Sequence, residues 1–413
     1  MFGVGKLNIV ILGTGYMAGL MAETIRAASS ARICAVGSRN YERAREFAKE
    51  YGFKKAYGSY EEAVSDPEAD LVYIATPHTV HYENVKLALE HGKNVLCEKP
   101  FALNAAQAEE LFAMAREKKL FCSEAMWIRF LPFYEQILNV IRKGTIGEPT
   151  MLSANLGYNV GKVSRMIEPE LGGGALLDSG VCLLNLASMI FGDDITRINS
   201  HCTYTEKGLD AQENITLRYR DGKMAELSAS MIGISDRRAV IYGTEGYIVI
   251  DNVSNFEGLE VFDSSYKKVM TYKRQKQKTG YEYELEACAK AIHKGQLECT
   301  QMPQAQTVSI MHMLDYIRKQ LGIVFPQEIP ASSAQEREET ADQTPAEASP
   351  AENQAPEVNA PAEMSIPEET PSKEEIPAEA DSASREKETL PADTAEMKTA
   401  GETKAETDPA LKE

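Results

Sequence analysis

Along the first 125 residues, short apolar blocks alternate with stretches of helical period. Leu7–Leu12 is an apolar run that ends in glycines, and a helical pattern follows it to Ala28. Ala31–Gly37 reads as a second strand, and the Arg- and Glu-rich segment Tyr41–Tyr51 as its helix. Further strands are expected at 71–75, 94–97 and 120–123, with helices at about 80–91 and 105–118. Strands separated by helices of this length predict βαβ units and a parallel sheet. From about residue 151 the texture changes. Apolar–polar alternation at 151–158, 197–205, 214–219, 225–231, 238–242 and 247–251, joined by turns such as Asp221-Gly222, predicts a mainly antiparallel sheet. Helices are expected beside it at roughly 175–190, 282–294 and 305–320.

Composition adds a third region. Residues 331–413 contain no aromatic residue, His or Cys, nine of the 18 prolines, and only five residues from Leu, Ile and Val. Such a segment cannot bury enough apolar surface to offset a backbone ordering cost of ~1–2 kcal/mol per residue. The expected organisation is therefore a nucleotide-binding domain at 1–125, an α+β domain at 126–330 and a disordered tail at 331–413. The tail holds 22 of the 62 acidic and 7 of the 44 basic side chains, so it carries most of the −18 net charge. The first 330 residues carry only −3. That argues against a nucleic-acid partner, which needs a basic field.

The seven cysteines are an odd number, with no two closer than 11 residues, so there is no C-x-x-C zinc or redox spacing. Most lie in apolar runs, as buried free thiols do. A reducing cytoplasm and no metal are expected. No uninterrupted apolar run approaches the ~18 residues of a membrane span, so no membrane partner is expected.

Three constellations carry chemistry. Gly13-x-Gly15-x-x-Ala18 follows a strand, opens a helix and lies near the amino terminus. In that context the glycines let backbone N–H groups approach a pyrophosphate at the positive end of the helix. After the second strand, where an acidic residue would hold a free ribose 2′-hydroxyl, stand Gly37-Ser38-Arg39, with Arg43 one turn on. A hydroxyl and a guanidinium suit a 2′-phosphate, so NADP is expected, with NAD as the alternative. The second constellation is Glu98-Lys99-Pro100 at the carboxyl end of a strand, where Lys99 is placed to hydrogen-bond a reacting hydroxyl and relay its proton. The third is Gly172-Gly173-Gly174 and the apolar helix after it. There Asp178, Cys182 and Asn185 are spaced i, i+4, i+7 as one polar stripe. A buried structural hydrogen-bond network would give the same pattern.

Together these segments resemble the glucose–fructose oxidoreductase/inositol dehydrogenase (Gfo/Idh/MocA) family over about residues 6–325. The resemblance rests on Gly13-Thr14-Gly15, on Ala75-Thr76-Pro77-His78 with His81, on the run from Gly92 to Pro100, and on 172–180. Within the family the chain is most similar to dihydrodiol dehydrogenases, through 56–62, 124–130 and 173–178. The resemblance implies a Rossmann domain followed by an open-sheet domain that commonly mediates dimerisation. It also implies hydride transfer between NADP(H) and a CH–OH or C=O carbon of a sugar, polyol or cyclic diol. Cofactor contacts are expected from Gly13, Thr14, Gly15, Tyr16, Met17, Ser38, Arg39, Thr76, Pro77, His78, His81, Glu98, Lys99, Trp127 and Arg129. Substrate contacts are expected from Lys99, Asp178, Cys182 and Asn185, with Lys99, Asp178 and Cys182 as the catalytic group. Cys182 departs from the family, which usually places His or Tyr there as the proton donor and acceptor. A thiol is a weak hydrogen-bond partner. The departure implies that Lys99 works with water, that the substrate is not a dihydrodiol, or that activity is lost, as in a nucleotide-binding sensor without turnover; the family resemblance separately allows a glycosidase that retains NAD.

Overall fold

The structure is a computed structural model, and it describes residues 5–329. The acidic tail expected at 331–413 lies outside the described residues. The first sheet has six strands, β1 (Leu7–Leu12), β2 (Ala31–Gly37), β3 (Lys55–Tyr57), β4 (Leu71–Ile74), β5 (Asn94–Glu98) and β6 (Cys122–Ala125). All its pairs are parallel, in the order β3-β2-β1-β4-β5-β6. This is the doubly wound order, whose winding reverses between β1 and β4 and opens a ligand crevice at the carboxyl ends of the strands. The central strands are apolar throughout because both faces are covered: Ile9 to Leu12 and Leu71 to Ile74 are fully buried.

Helices α1 (Tyr16–Ala27), α2 (Tyr41–Tyr51), α3 (Tyr60–Val64), α4 (His81–Glu90) and α5 (Ala105–Lys118) alternate with these strands. Three start on side-chain caps, with Asn40, Ser59 and Asn104 each accepting a backbone N–H three residues on. The β3–α3 unit was not expected from the sequence. Three half-buried residues in β3 are too few to show a period. The last strand of the sheet begins two residues later than expected.

Helices α6 (Trp127–Phe130) and α7 (Phe133–Arg142), also unexpected, lead to the second sheet. Its strands are β7 (Pro149–Gly157), β8 (Ile195–Tyr204), β9 (Asp210–Tyr219), β10 (Met224–Ser230), β11 (Ala239–Gly243), β12 (Gly246–Asp251), β13 (Gly258–Asp263) and β14 (Lys268–Lys273). Their order is β14-β13-β12-β11-β7-β10-β9-β8, antiparallel except for the parallel β7–β10 pair. β14 escaped sequence reading because it is an exposed edge strand with almost no buried position. Helices α8 (Ser164–Ile167), α9 (Val181–Phe191), α10 (Glu282–His293) and α11 (Gln304–Leu321) complete the domain. α9 packs on β7 and β10, while α10 and α11 reach back to α1 and α5 of the first domain.

Two expectations need correction. The segment Pro169–Phe191 is long and apolar enough to cross a membrane, but 78% of its most apolar window is buried inside the protein, as a core helix is. The helix expected at 175–190 is a π-helical turn, Leu176–Gly180, running into α9. A π-turn inserts an extra residue into the helical period, so positions before and after it do not share one stripe.

Candidate active site

A cavity of about 890 Å³ lies along the carboxyl edge of the first sheet and is closed by the second domain. One end is built on β1 and β2. Gly13 follows β1 with φ +107, and a Cβ there would lie 2.5 Å from the Ala75 carbonyl oxygen, so only glycine fits. A Cβ on Gly15 would meet nothing within 4 Å. The glycine leaves an open cradle at the start of α1, whose first N–H groups have no side-chain cap. An uncapped helix N-terminus behind an empty cradle fits a pyrophosphate. Thr14, Tyr16 and Met17 line the same wall, and Ser38, Arg39, Asn40 and Arg43 line it beyond β2. Among the described residues, the lining carboxylates are Glu98 and Asp178 alone, and neither stands at the end of β2. The Tyr60 phenol sits against Arg39.

The other end is built on β5, three strand spacings from β2, or about 14 Å. That separation matches the spread of a dinucleotide across the switch point. Lys99 follows β5 directly, and its peptide to Pro100 is cis. Its Nζ donates to the Asp178 carbonyl oxygen at 2.6 Å and to Asp178 Oδ1 at 3.2 Å. An ammonium has three N–H donors, so one remains for a ligand. Arg165 of α8 donates to the same Oδ1 at 2.9 Å. Burial alone would raise the Asp178 carboxyl, but Lys99, Arg165 and His78 outweigh it and hold Asp178 far below the usual carboxylate range. Burial lowers the Lys99 ammonium, but Asp178, Cys182 and Glu98 more than reverse this, so Lys99 stays cationic well beyond neutrality. Burial pushes the Cys182 thiol up to about 11, against the pull of Lys99. At neutral pH it is a thiol and not a thiolate.

Several neighbours fix this centre. His78 lines the cavity with Nδ1 2.9 Å from the Gly172 carbonyl, and burial, His81 and Lys99 lower its imidazole to about 3, so it is neutral. Glu98 accepts the Tyr73 hydroxyl and the Lys99 N–H, and burial raises its carboxyl. Thr76 and Pro77 also line the wall, where Thr76 accepts from Asn84 at 3.0 Å. Trp127 stacks on Tyr281 at 4.4 Å between ring centroids, and both rings face the cavity. Under the π-turn, Asp210 accepts the Leu176 N–H at 2.5 Å. A Cβ on Gly174 would lie 2.3 Å from Asp210, which accounts for the last glycine of the triplet. Burial lifts the Asp210 carboxyl to about 7, and burial beside Asp210 raises Glu213 well above the usual carboxylate range.

The structure therefore gathers sixteen of the expected residues on one wall and moves two away. Arg129 and Asn185 do not line the cavity. Arg129 Nε donates to Asn185 Oδ1 at 2.5 Å and its other arm to Ser188, while Asn185 is fully buried. Asn185 lies three residues beyond Cys182 on α9, on the buried side of the helix that faces Arg129. His81 lines the wall, but both ring nitrogens sit 2.8 Å from backbone carbonyls, of Thr76 and Pro100. It ties the ends of β4 and β5 together and has no nitrogen left for a cofactor. Arg165, Tyr158 and Tyr281 also line the cavity and were not expected there. They come from a four-residue helix, the end of a strand and the start of a helix, where no local period marks them.

Comparison with known proteins agrees with this geometry. Residues 7–126 match the model for an oxidoreductase family with an NAD-binding Rossmann fold, and residues 134–249 match the GFO/IDH/MocA C-terminal domain. The chain belongs to the Gfo/Idh/MocA oxidoreductase family. It is 34% identical over 304 residues to a trans-1,2-dihydrobenzene-1,2-diol dehydrogenase from Xenopus tropicalis, covering 71% of this chain and 91% of the relative. Among solved structures it is similar to a 3-ketoreductase from Actinomadura kijaniata in complex with NADP and TDP-benzene. The TM-score is 0.70 at 23% identity, over 76% of this chain and 98% of that one. It is also similar to a levoglucosan dehydrogenase in complex with NADH and levoglucosan, with a TM-score of 0.69 at 20% identity, over 77% and 97% of the two chains. At these identities the structures establish the shared fold. Membership makes the chain an oxidoreductase of the nicotinamide-binding type, and the cradle and crevice fit that cofactor.

Proposed function

We propose that this Gfo/Idh/MocA member is an NADP-dependent dehydrogenase–reductase acting on a hydroxyl carbon of a polyol, sugar or cyclic diol. The observation that carries the reading is the Lys99 ammonium, held by Asp178 at the far end of a cavity that begins at the Gly13–Gly15 cradle. A nicotinamide bound there supplies or accepts the hydride. Lys99 holds the reacting oxygen and exchanges its proton. Trp127, Leu156, Val160, Val163 and Leu171 give the substrate end an apolar wall, which suits a ring carrying vicinal hydroxyls. The diol named for the Xenopus relative belongs to that class.

Ser38 and Arg39 at the end of β2 support NADP over NAD. Arg39→Asp should weaken NADP binding at least tenfold, about 1.4 kcal/mol, and spare or improve NAD. Fluorescence titration with both cofactors measures this, and equal loss of both would sink the assignment. Turnover assays with trans-1,2-cyclohexanediol, D-xylose and related polyols then test the reaction. A chain that binds cofactor yet turns over none of them would be the sensor instead. Exposed Tyr204, Ile234, Tyr266, Val269 and Met270 on the second domain support a homodimer built on the open sheet, which sedimentation would test. All seven cysteines are free thiols, which supports a reducing cytoplasm, to be tested by cell fractionation.

A further inference from the structure

Lys99, Asp178 and Cys182 give the reaction centre a cation, a carboxylate and a thiol, and a strong neutral donor for the substrate oxygen has to come from another residue on the cavity wall. The Cys182 thiol is short and a weak donor. Four tyrosines line the cavity, and their surroundings separate them. Tyr60 sits at the other end, against Arg39. Tyr158 is bonded to Ser254 at 3.1 Å and lies under Arg237. Tyr16 belongs to the phosphate cradle. Tyr281, at the start of α10, faces the reaction centre: its electrostatic neighbours include Glu98, Tyr16 and Cys182, all on the cavity wall. Its ring is fixed by the stack on Trp127. Gly280 makes that stack possible, since a Cβ there would lie 2.7 Å from the indole. The Tyr281 hydroxyl makes no hydrogen bond to another described residue, and yet it is not among the sealed polar atoms of the interior. It opens into the cavity with its donor unspent.

We propose that the Tyr281 hydroxyl is a hydrogen-bond donor that holds the reacting oxygen of the substrate together with the Lys99 ammonium. This rests on the oxidoreductase reading of the cavity. In the reductive direction the carbonyl carbon gains the hydride, its π pair moves to oxygen, and the oxygen takes the Lys99 proton. Tyr281 keeps its own proton throughout. Burial raises the phenol well above its ordinary value, so it is a neutral donor over the whole working range. The site thereby draws its hydroxyl donor from α10, where the polar stripe on α9 offers only a thiol.

The test is Tyr281→Phe, which keeps the ring and the stack and removes only the hydroxyl. The chain has a single tryptophan, so emission of Trp127 reports binding of a polyol even without turnover. With NADP bound, the variant should bind trans-1,2-cyclohexanediol about tenfold more weakly and lose ~10- to 100-fold in kcat/KM, the order expected for an unpaired polar contact. NADP binding should stay within twofold. Because the hydroxyl has no hydrogen-bond partner among the described residues, the melting temperature should hold or rise. Unchanged diol binding and turnover would overturn the proposal, and so would a fall of several degrees in melting temperature, which would make the hydroxyl structural. A wild-type chain that binds no nicotinamide cofactor would instead overturn the oxidoreductase reading, and the proposal with it.

Discussion

At the scale of single residues, the proposed chemistry rests on one ammonium and two glycines. Lys99→Met removes the proton-exchanging group but leaves the cradle, so kcat should fall by roughly 10²–10⁴ while cofactor affinity stays within a few-fold. Since Lys99 is held cationic above its ordinary range, it is fully protonated at pH 6–9. Reduction, which draws a proton from it, should be flat over that range. Oxidation, which needs it neutral, should climb with pH without a plateau. A pH–rate profile in both directions checks the sign, and Lys99→Met should abolish the climb. The two glycines should separate in their effects. Gly13→Ala meets backbone at 2.5 Å with φ +107, and should cost about 1–3 kcal/mol in urea unfolding. Gly15→Ala meets nothing within 4 Å, so it should leave stability alone and weaken cofactor binding by filling the cradle.

At the scale of elements, the π-turn Leu176–Gly180 is the device that presents Asp178, and it is propped from below by Asp210. The folded Asp210 carboxyl lies near 7, against about 3.9 in an unfolded chain. The folded state therefore keeps the proton longer, and this group's contribution to stability falls as pH rises from about 4 through 7. Asp210→Asn, which still accepts the Leu176 N–H, should flatten the decline in melting temperature between about pH 5 and 7. A variant as pH-sensitive as the wild type would refute this. The helix after the π-turn also marks where sequence reading stopped working. Gly13, Ser38, Arg39 and Lys99 were legible because each follows a strand directly, and chain position alone puts it at the crevice. Asp178 and Cys182 were legible from helical spacing, but Asn185 was not, since a polar residue bonded to a buried partner such as Arg129 has the same spacing as one that faces a ligand. The Trp127–Tyr281 stack joins residues far apart in sequence, and no local pattern encodes such a pair.

At the scale of the whole molecule, composition predicts that the body can be separated from the acidic end of the chain. Cutting after Ile329 should leave melting temperature and turnover unchanged, because the removed segment has no aromatic side chain and very few aliphatic ones to add to a core. A fall of several degrees would show that it packs on the body. The net charge would change from −18 to −3, with lower solubility near neutral pH as the expected cost. Within the body, the pair on which the proposed chemistry turns joins two domains: Lys99 follows a strand of the first, and Asp178 stands on the π-turn of the second. Acid–base strength and substrate choice are thus inherited together. A chimera that grafts a foreign second domain onto this nucleotide-binding half would replace the specificity wall and the lysine's counter-ion in one exchange. A graft lacking a carboxylate at the Asp178 position would bind cofactor normally and still be mistuned for proton exchange.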